Sequence, residues 1–328
     1  MRAWRVHEFG APPECLSLET CEPPVPRAGQ VGIDVHAASL NFPDLLMCQG
    51  LYQVRPDLPF TPGVEVAGVV RAVGDDVDSA LIGQSVCAIP LIGPGGFAEH
   101  TIASTRTTFA VDAAMDWGHA ASFAMTYQTA WFALHRRAQL RRGETVLVHA
   151  GAGGVGSAAI QLAKAHDAFV IASAGGSHKV EVCRQLGADL AIDYTTEDFV
   201  TAVKDATDGR GADVIVDPVG GEVFDRSRKC IAFEGRIVVV GFTSGRIPEV
   251  PTNHVLVKNY SVVGLHWGLY DRYAPELFAA AHQNLLRQYG DGRIAPLVTE
   301  ELPFTALPEA MVRLGQRDTV GKIVLRTS

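Results

Sequence analysis

Thr145-Val146-Leu147-Val148-His149-Ala150-Gly151-Ala152-Gly153-Gly154-Val155-Gly156 is the stretch that decides the fold. It opens as a strand of β-branched and apolar residues and runs into a loop that fits G-x-G-x-x-G. Gly156 to Ala165 then reads as a helix. Each glycine has an expected task. Gly151 makes the tight turn, Gly153 lets the backbone approach a pyrophosphate, and Gly156 allows the helix to pack closely on the strand. The loop backbone of Ala152, Gly153, Gly154 and Val155 lies at the N-terminus of the helix. Free N–H groups and the positive dipole end there favour an anion. A glycine-rich turn without a cofactor is the plainer alternative. The strand before the loop and the helix after it argue for a dinucleotide.

Outward from this loop, strands and helices alternate. Strands are expected at Phe169 to Ala172, Leu190 to Ile192, Asp213 to Val216, Ile237 to Val240 and Tyr260 to Gly264. A helix is expected from Lys179 to Leu186, ending at Gly187. That rhythm predicts an α/β fold, a doubly wound parallel sheet with helices on both faces. Before it, Asp116 is a plausible N-cap for a helix through Ala121, and Thr126 to Arg137 reads as a longer helix. Residues 1 to about 120 have a different texture. Short β-like runs at 30–37, 64–73 and 84–89 are broken by Gly and Pro, with one helix near Phe42 to Gln49. The last stretch returns to β texture at 296–299 and 321–325. The expected division is a β domain from 1–120, a nucleotide-binding domain from 121–265, and a return segment, 266–328, that completes the first domain.

Composition excludes several classes. At 328 residues two domains are expected. With Lys+Arg at 28 and Asp+Glu at 36, the net charge of −8 gives no basic footprint for nucleic acid. No apolar run approaches the length of a membrane span, and MRAWRVHEFG has no secretory h-region. A cytoplasmic protein is therefore expected, and the sequon Asn259-Tyr260-Ser261 is read as idle. The six cysteines form no Cys-x-x-Cys pair and are too sparse for a disulfide framework.

The second strand bears on the choice of dinucleotide. NAD-binding folds usually place Asp or Glu at its end to hold the ribose 2′-hydroxyl. Here the strand runs into Ser173-Ala174-Gly175-Gly176-Ser177-His178-Lys179, which has no carboxylate. Small residues and Lys179 suit a 2′-phosphate, so NADPH is favoured over NADH. A solvated lysine in the first turn of a helix is the ordinary alternative for Lys179.

These residues carry a resemblance that covers essentially the whole chain. Gly143 to Gly156, continuing to Gln161 and Lys164, is similar to the signature of the zinc-independent NADPH:quinone oxidoreductases. That group of the medium-chain dehydrogenase/reductase superfamily includes zeta-crystallin. Further blocks agree: Asn41-Phe42-Pro43-Asp44 with Gly50-Leu51-Tyr52, Pro59 to Glu65, Leu186 to Asp189 with Tyr194, Asp217 to Gly221, Val240-Gly241-Phe242, and Gly321-Lys322. The resemblance implies a Rossmann domain with a GroES-like β-barrel domain, and a homodimer or tetramer made by pairing Rossmann sheet edges.

It also implies roles. Asn41, Thr129 and Lys322 belong to the cofactor set, Thr129 at the nicotinamide end. The 152–155 backbone cradles the pyrophosphate. Lys179 and Tyr194 hold the adenosine phosphate and ribose. Gly241, Phe242, Thr243, His266 and Trp267 line the nicotinamide pocket. One departure is Gly176, where relatives often have Ser or Thr, so Ser177 is expected to substitute. Zinc-dependent relatives carry a Cys in the first block, a Gly-His-Glu in the second and a cysteine-rich loop. This chain has Asn41-Phe42-Pro43-Asp44 and Gly63-Val64-Glu65 and lacks that loop, so no metal is expected. Glu65 is then a structural carboxylate, bonded to backbone or paired with an Arg.

Without a Lewis acid, alcohol oxidation is disfavoured, whereas quinones and activated enones accept hydride unaided. No Ser-His-Asp or Cys-His pairing is readable. Tyr52 is the best polar candidate, to bond the substrate oxygen or gate the cleft. Asn41 and Asp44 either orient the cofactor amide or a water, or simply cap the helix after residue 41. His266 and Trp4, Trp117 and Trp131 read more readily as core. Three functions follow: a reductase of quinones, a reductase of activated C=C bonds in enones or enoyl thioesters, and an NADPH-binding structural or regulatory protein. The expected partners are a small quinone or enone and a second copy of the chain, with neither nucleic acid nor a membrane.

Overall fold

Val, Ile and Leu fill the strands of the second half on both faces, and such strands need cover on both sides. In the computed structural model, which describes residues 1–327, they form one six-stranded parallel sheet. The order is Ser261–Gly264, Ile231–Val239, Ala212–Asp217, Thr145–Val148, Phe169–Ala174, Leu190–Asp193. The chain starts at Thr145–Val148, walks outward through two strands, then returns to the other side of its starting strand. That reversal between Thr145–Val148 and Ala212–Asp217 is the switch point of a doubly wound sheet, where ligands bind outside the carboxyl ends of the strands. Leu147, Ile171, Ile215 and Ile237 are fully buried at the centre, with Phe199 and Phe224 packed in the same cluster.

The first unit is built differently. Gln30–Ser39, Val66–Val73, Ser85–Pro90 and His100–Ala110 pair antiparallel in that order, and Gln30–Ser39 also pairs with His100–Ala110. The ring closes, which removes the sheet edges and makes a small barrel. Lys322–Arg326 joins it on Gln30–Ser39, and Val298–Pro303 pairs with Lys322–Arg326. Val31, Ile33, Phe60, Val66 and Phe97 fill the core. The compact units are 1–125 with 273–286 and 296–328, and 126–272 with 287–295.

The expected elements appear with shifted ends. The capped helix is Trp117–Ala121, with Asp116 Oδ1 accepting from Gly118 N at 2.7 Å. The glycine-loop helix begins at Gly154, and the helix expected from Lys179 is Ser177–Gln185. Thr126 to Arg137 is not one regular helix. Ala124–Trp131 is α-helical, and Phe132–Arg137 widens to π geometry before Gln139 stops the helix at φ 51°. Of the tryptophans, Trp4 is buried. Trp117 and Trp131 are only half-buried, and Trp117 stacks on His36 at 4.7 Å. Among the described residues, no helix is long and apolar enough to cross a membrane.

Candidate functional site

In the second unit the glycine loop stands at the carboxyl end of Thr145–Val148, directly at the switch point. The three glycines divide their work differently from the expectation. The left-handed residue of the turn is Ala150, at φ 51°, and not Gly151. Gly151 is needed for packing: a Cβ there would lie 2.8 Å from Cys183 Sγ and 3.0 Å from Ala172 Cβ. At Gly156 a Cβ would meet the Ala150 carbonyl oxygen at 2.1 Å, so this glycine lets the helix sit on the strand end. At Gly153, the N-cap, the nearest atom to a Cβ would be the same oxygen at 3.3 Å. Its outer face is bare backbone, the form that a close-approaching ligand needs. The first N–H groups of the twelve-residue helix Gly154–Ala165 have no intrahelical acceptor.

Beneath the loop lies His149, which sequence reasoning passed over. It is fully buried, with Nδ1 2.7 Å from Ser173 Oγ and Nε2 2.8 Å from Ser227 Oγ. Ser227 donates its own proton to the Val223 carbonyl, so it accepts from Nε2–H, and Nδ1 accepts from Ser173. The imidazole is neutral and links two neighbouring strands to the C-terminal end of the helix Gly221–Ser227. Burial first, then the charge of Arg226, pushes its pKa down to about 3.

The loop after the second strand holds Gly175, Gly176, Ser177 and Lys179. Gly176 has φ 87°, a region that side chains disfavour, which is a physical reason for glycine at this place. Ser177 is exposed and Lys179 half-buried at the start of their helix. Tyr194 is exposed, and its hydroxyl lies 2.7 Å from where a Gly175 Cβ would be. The stretch after the second strand carries no carboxylate of its own, as expected, but one reaches it from outside. Asp193, at the end of the neighbouring strand, accepts from Gly176 N at 2.9 Å. The same oxygen accepts from Thr195 N and Thr195 Oγ1, which holds the Asp193 pKa below its ordinary value. This carboxylate from the parallel neighbour is committed to backbone and Thr195 and so shapes the loop, a relation that a reading along the second strand does not see.

Two further loops close together at the ends of Ala212–Asp217 and Ile231–Val239. Thr243 N donates to the Pro218 carbonyl and Ser244 N to that of Val219. Phe242 lies over Gly220, where a Cβ would come within 2.8 Å of the ring. Gly241 precedes it, half-buried. Asp217 anchors the turn with Oδ1, which accepts from Val219 N and Gly220 N, and burial raises its pKa. Thr129 is buried on Ala124–Trp131. Its neighbour Gln128 accepts from Trp267 Nε1 at 3.2 Å and so fixes that ring. His266 is half-buried, and its buried Nδ1 has no hydrogen-bond partner among the described residues.

The first unit brings Asn41, Asp44, Glu65 and Lys322 together. Asn41 and Asp44 do cap the helix Phe42–Cys48: Asn41 N donates to Asp44 Oδ2 at 2.8 Å. Asp44 Oδ1 accepts from Gly63 N and Val64 N, so one buried carboxylate joins the two sequence blocks. Burial pushes its pKa up to about 7 against the pull of those three donors. Glu65 is a structural carboxylate, but its cation is a lysine and not an arginine. Its Oε1 accepts from Met125 N, and its Oε2 from Ser39 Oγ, Asn41 Nδ2 and Lys322 Nζ.

Lys322 is buried and spends its three N–H donors on the Leu40 carbonyl at 2.7 Å, Asn41 Oδ1 at 2.6 Å and Glu65 Oε2 at 3.3 Å. Burial lowers its pKa, opposed by Glu65 and Asp44. The ammonium is therefore engaged by protein oxygens. Tyr52 is half-buried against the barrel core, and burial, with the Asp44 charge second, raises its phenol pKa.

Comparison with known proteins agrees with this geometry. Residues 27–113 match the family model of the alcohol dehydrogenase GroES-like domain. Residues 154–283 match that of the zinc-binding dehydrogenases. A quinone oxidoreductase-like protein 2 homolog of Nematostella vectensis is 38% identical over 299 residues, covering 91% of this chain and 82% of that one. A mycobacterial protein solved in complex with NADPH superposes with a TM-score of 0.92 at 31% identity, covering 99% of this chain and 100% of the other. The quinone oxidoreductase of Thermus thermophilus, solved free and with NADPH, gives 0.86 at 32% identity over 99% and 100%.

The family model's name implies zinc, which binds thiolates, imidazoles and carboxylates in tetrahedral sets. Among the described residues no three His, Cys, Asp or Glu side chains are grouped to hold a metal ion. Where the Asn41 and Glu65 blocks meet, the group they surround is an ammonium, so these residues do not fit zinc. The chain belongs to the quinone oxidoreductase-like proteins of the medium-chain dehydrogenase/reductase superfamily, a superfamily of oxidoreductases.

Proposed function

We propose that the protein reduces quinones with NADPH, by hydride transfer that uses no metal. The observation that carries this reading is the Lys322 ammonium held by Asn41, Glu65 and the Leu40 carbonyl. A fixed cation there, fully satisfied by protein oxygens, leaves no Lewis acid to stabilise an alkoxide. Acceptors that need no such help are then the fitting substrates.

Bound NADPH supplies the hydride. The Ala152 to Val155 backbone, with the bare face of Gly153 and the first turn of its helix, is suited to the pyrophosphate. Lys179, Ser177 and Tyr194 are assigned to the 2′-phosphorylated ribose, around a loop that Asp193 holds in shape. Thr129, Gly241, Phe242, Thr243, His266 and Trp267 are assigned to the nicotinamide end. Asn41, Asp44 and Lys322 are positioning residues, since their polar atoms are committed to one another and to backbone. Tyr52 is assigned to the substrate oxygen, and its raised pKa keeps the phenol protonated as a donor near neutral pH.

A homodimer is part of this reading. Ser261–Gly264 is an edge strand with one paired side, and Leu256 and Val257, on the helix Thr252–Lys258 just before it, are exposed at 76% and 78%. Pairing two such edges about a twofold axis satisfies the open backbone groups and covers the apolar ones.

The test is a substrate panel followed by NADPH absorbance. Turnover of ortho-quinones is expected. Turnover of enones or enoyl thioesters alone moves the function to C=C reduction. NADPH binding with no turnover leaves a structural or regulatory protein.

A further inference from the structure

Two of the six cysteines, Cys15 and Cys48, meet in the first unit although 32 residues lie between them in the sequence. Both are free thiols. Cys48 ends the helix Phe42–Cys48 and is fully buried in the barrel core. Cys15 precedes the strand Leu16–Thr20, is half-buried and packs against the same core. The backbone brings them together. Gly10 N donates to the Cys48 carbonyl at 3.0 Å, and Cys15 Cβ lies 3.4 Å from where a Gly10 Cβ would be. Gly10 thus touches both segments, and each thiol shifts the pKa of the other.

The pair is asymmetric in the way dithiol chemistry requires. The Cys48 thiol holds the Cys15 pKa below its ordinary value. The Cys15 thiol, and then burial, raises the pKa of Cys48. Cys15 is the more accessible of the two, and Cys48 is buried beside it in the same core, so an incoming reagent reaches Cys15 first. Cys21, also half-buried, is a reference thiol in the same unit.

We propose that Cys15 and Cys48 are a redox-active pair, closed into a reversible intramolecular disulfide by a small-molecule disulfide such as glutathione disulfide. The Cys15 thiolate attacks one sulfur of the reagent, forming a mixed disulfide and releasing one glutathione thiolate. The Cys48 thiol then gives up its proton, attacks the Cys15 sulfur and releases the second glutathione. Two protein thiols are oxidised by two electrons, and one glutathione disulfide is reduced to two glutathiones. The bridge ties residues 10–15 to the end of the helix whose other end carries Asn41 and Asp44.

The test treats the full chain with glutathione disulfide, quenches with an alkylating agent and maps peptides without reduction. A Cys15–Cys48 linkage free of glutathione is expected, while Cys21 carries a glutathione adduct. In Cys48→Ser, which keeps a hydroxyl donor, Cys15 is expected to retain one glutathione because nothing resolves it. Alkylation of Cys15 against pH gives a second readout: in Cys48→Ala its midpoint moves upward. A wild-type Cys15 that keeps its adduct, or Cys15 and Cys21 reacting alike with no linkage, overturns the proposal.

Discussion

Lys322 Nζ stands 2.6 Å from Asn41 Oδ1, across 281 residues of sequence. The same ammonium meets Glu65, whose carboxylate is fully buried. Removing one partner of a buried pair leaves an uncompensated charge and costs about 3–5 kcal/mol, whereas replacing both is far milder. Lys322→Met is therefore expected to lower unfolding free energy by about that amount. Lys322→Met with Glu65→Gln is expected to recover most of it. Urea unfolding of both variants checks this, and a double variant as unstable as the single one would refute the pairing.

The glycine loop separates folding from binding. Gly156→Ala drives a Cβ into the Ala150 carbonyl and is expected to lower Tm clearly. Gly153→Ala meets only the Ala150 carbonyl oxygen, at 3.3 Å, a tight contact that a shift of a few tenths of an ångström relieves, so it is expected to fold with a much smaller loss of stability, roughly 1 kcal/mol. It blocks the backbone face assigned to the pyrophosphate, so NADPH affinity is expected to fall about tenfold or more, near 1.4 kcal/mol. Thermal melts and a fluorescence titration of each variant separate the two effects. Equal NADPH affinity in Gly153→Ala and wild type contradicts the assignment.

Lys179, assigned in the proposed function to the 2′-phosphate, is the residue that would decide the cofactor choice. A charge-assisted hydrogen bond is worth about 1.5–3 kcal/mol. Lys179→Ala is therefore expected to weaken NADPH binding by roughly tenfold or more and to leave NADH nearly unchanged. An unchanged ratio of the two affinities removes Lys179 from the 2′-phosphate site.

His149 makes the second unit sensitive to acid. Its folded pKa of about 3 lies below the ordinary value of 6.5, so below pH 6.5 the unfolded chain binds the extra proton. The stability it contributes is complete above pH 6.5 and is lost progressively as pH falls toward 3. One such proton adds a slope of about 1.4 kcal/mol per pH unit. Chemical denaturation between pH 6.5 and 4 is expected to show this slope, reduced by that much in His149→Gln. An identical slope in the variant shows that His149 is not the titrating group.

Much of the architecture was legible from local pattern. Val146 to Gly156 names a strand, a turn and a helix by itself, and Asp116 caps its helix as its residue type suggests. The strand His100–Ala110 was missed, although it closes the barrel. It is rich in Thr and Ser, and Thr101, Thr107 and Thr108 turn their hydroxyls to backbone carbonyls. Its polar composition therefore hides a buried strand. The left-handed turn at Ala150 was also hidden, since alanine carries no signal for positive φ. Within the site, residue types were readable where one segment carries them. Relations between segments were not. Asp193 reaches Gly176 from a parallel neighbour, Glu65 finds its cation at Lys322, and Cys15 meets Cys48. Each depends on how segments separated in sequence pack together, which no local period records.

The placement of Lys322 also orders events during synthesis. Glu65 precedes it by 257 residues, roughly half a minute at about 10 residues per second. Throughout that interval the nascent barrel lacks Lys322–Arg326 on Gln30–Ser39, and a closed core would bury Glu65 without its cation. The nucleotide-binding unit from Thr126 to Arg272 leaves the ribosome before the barrel receives that strand. The half of the protein that is made first is thus the half that finishes last.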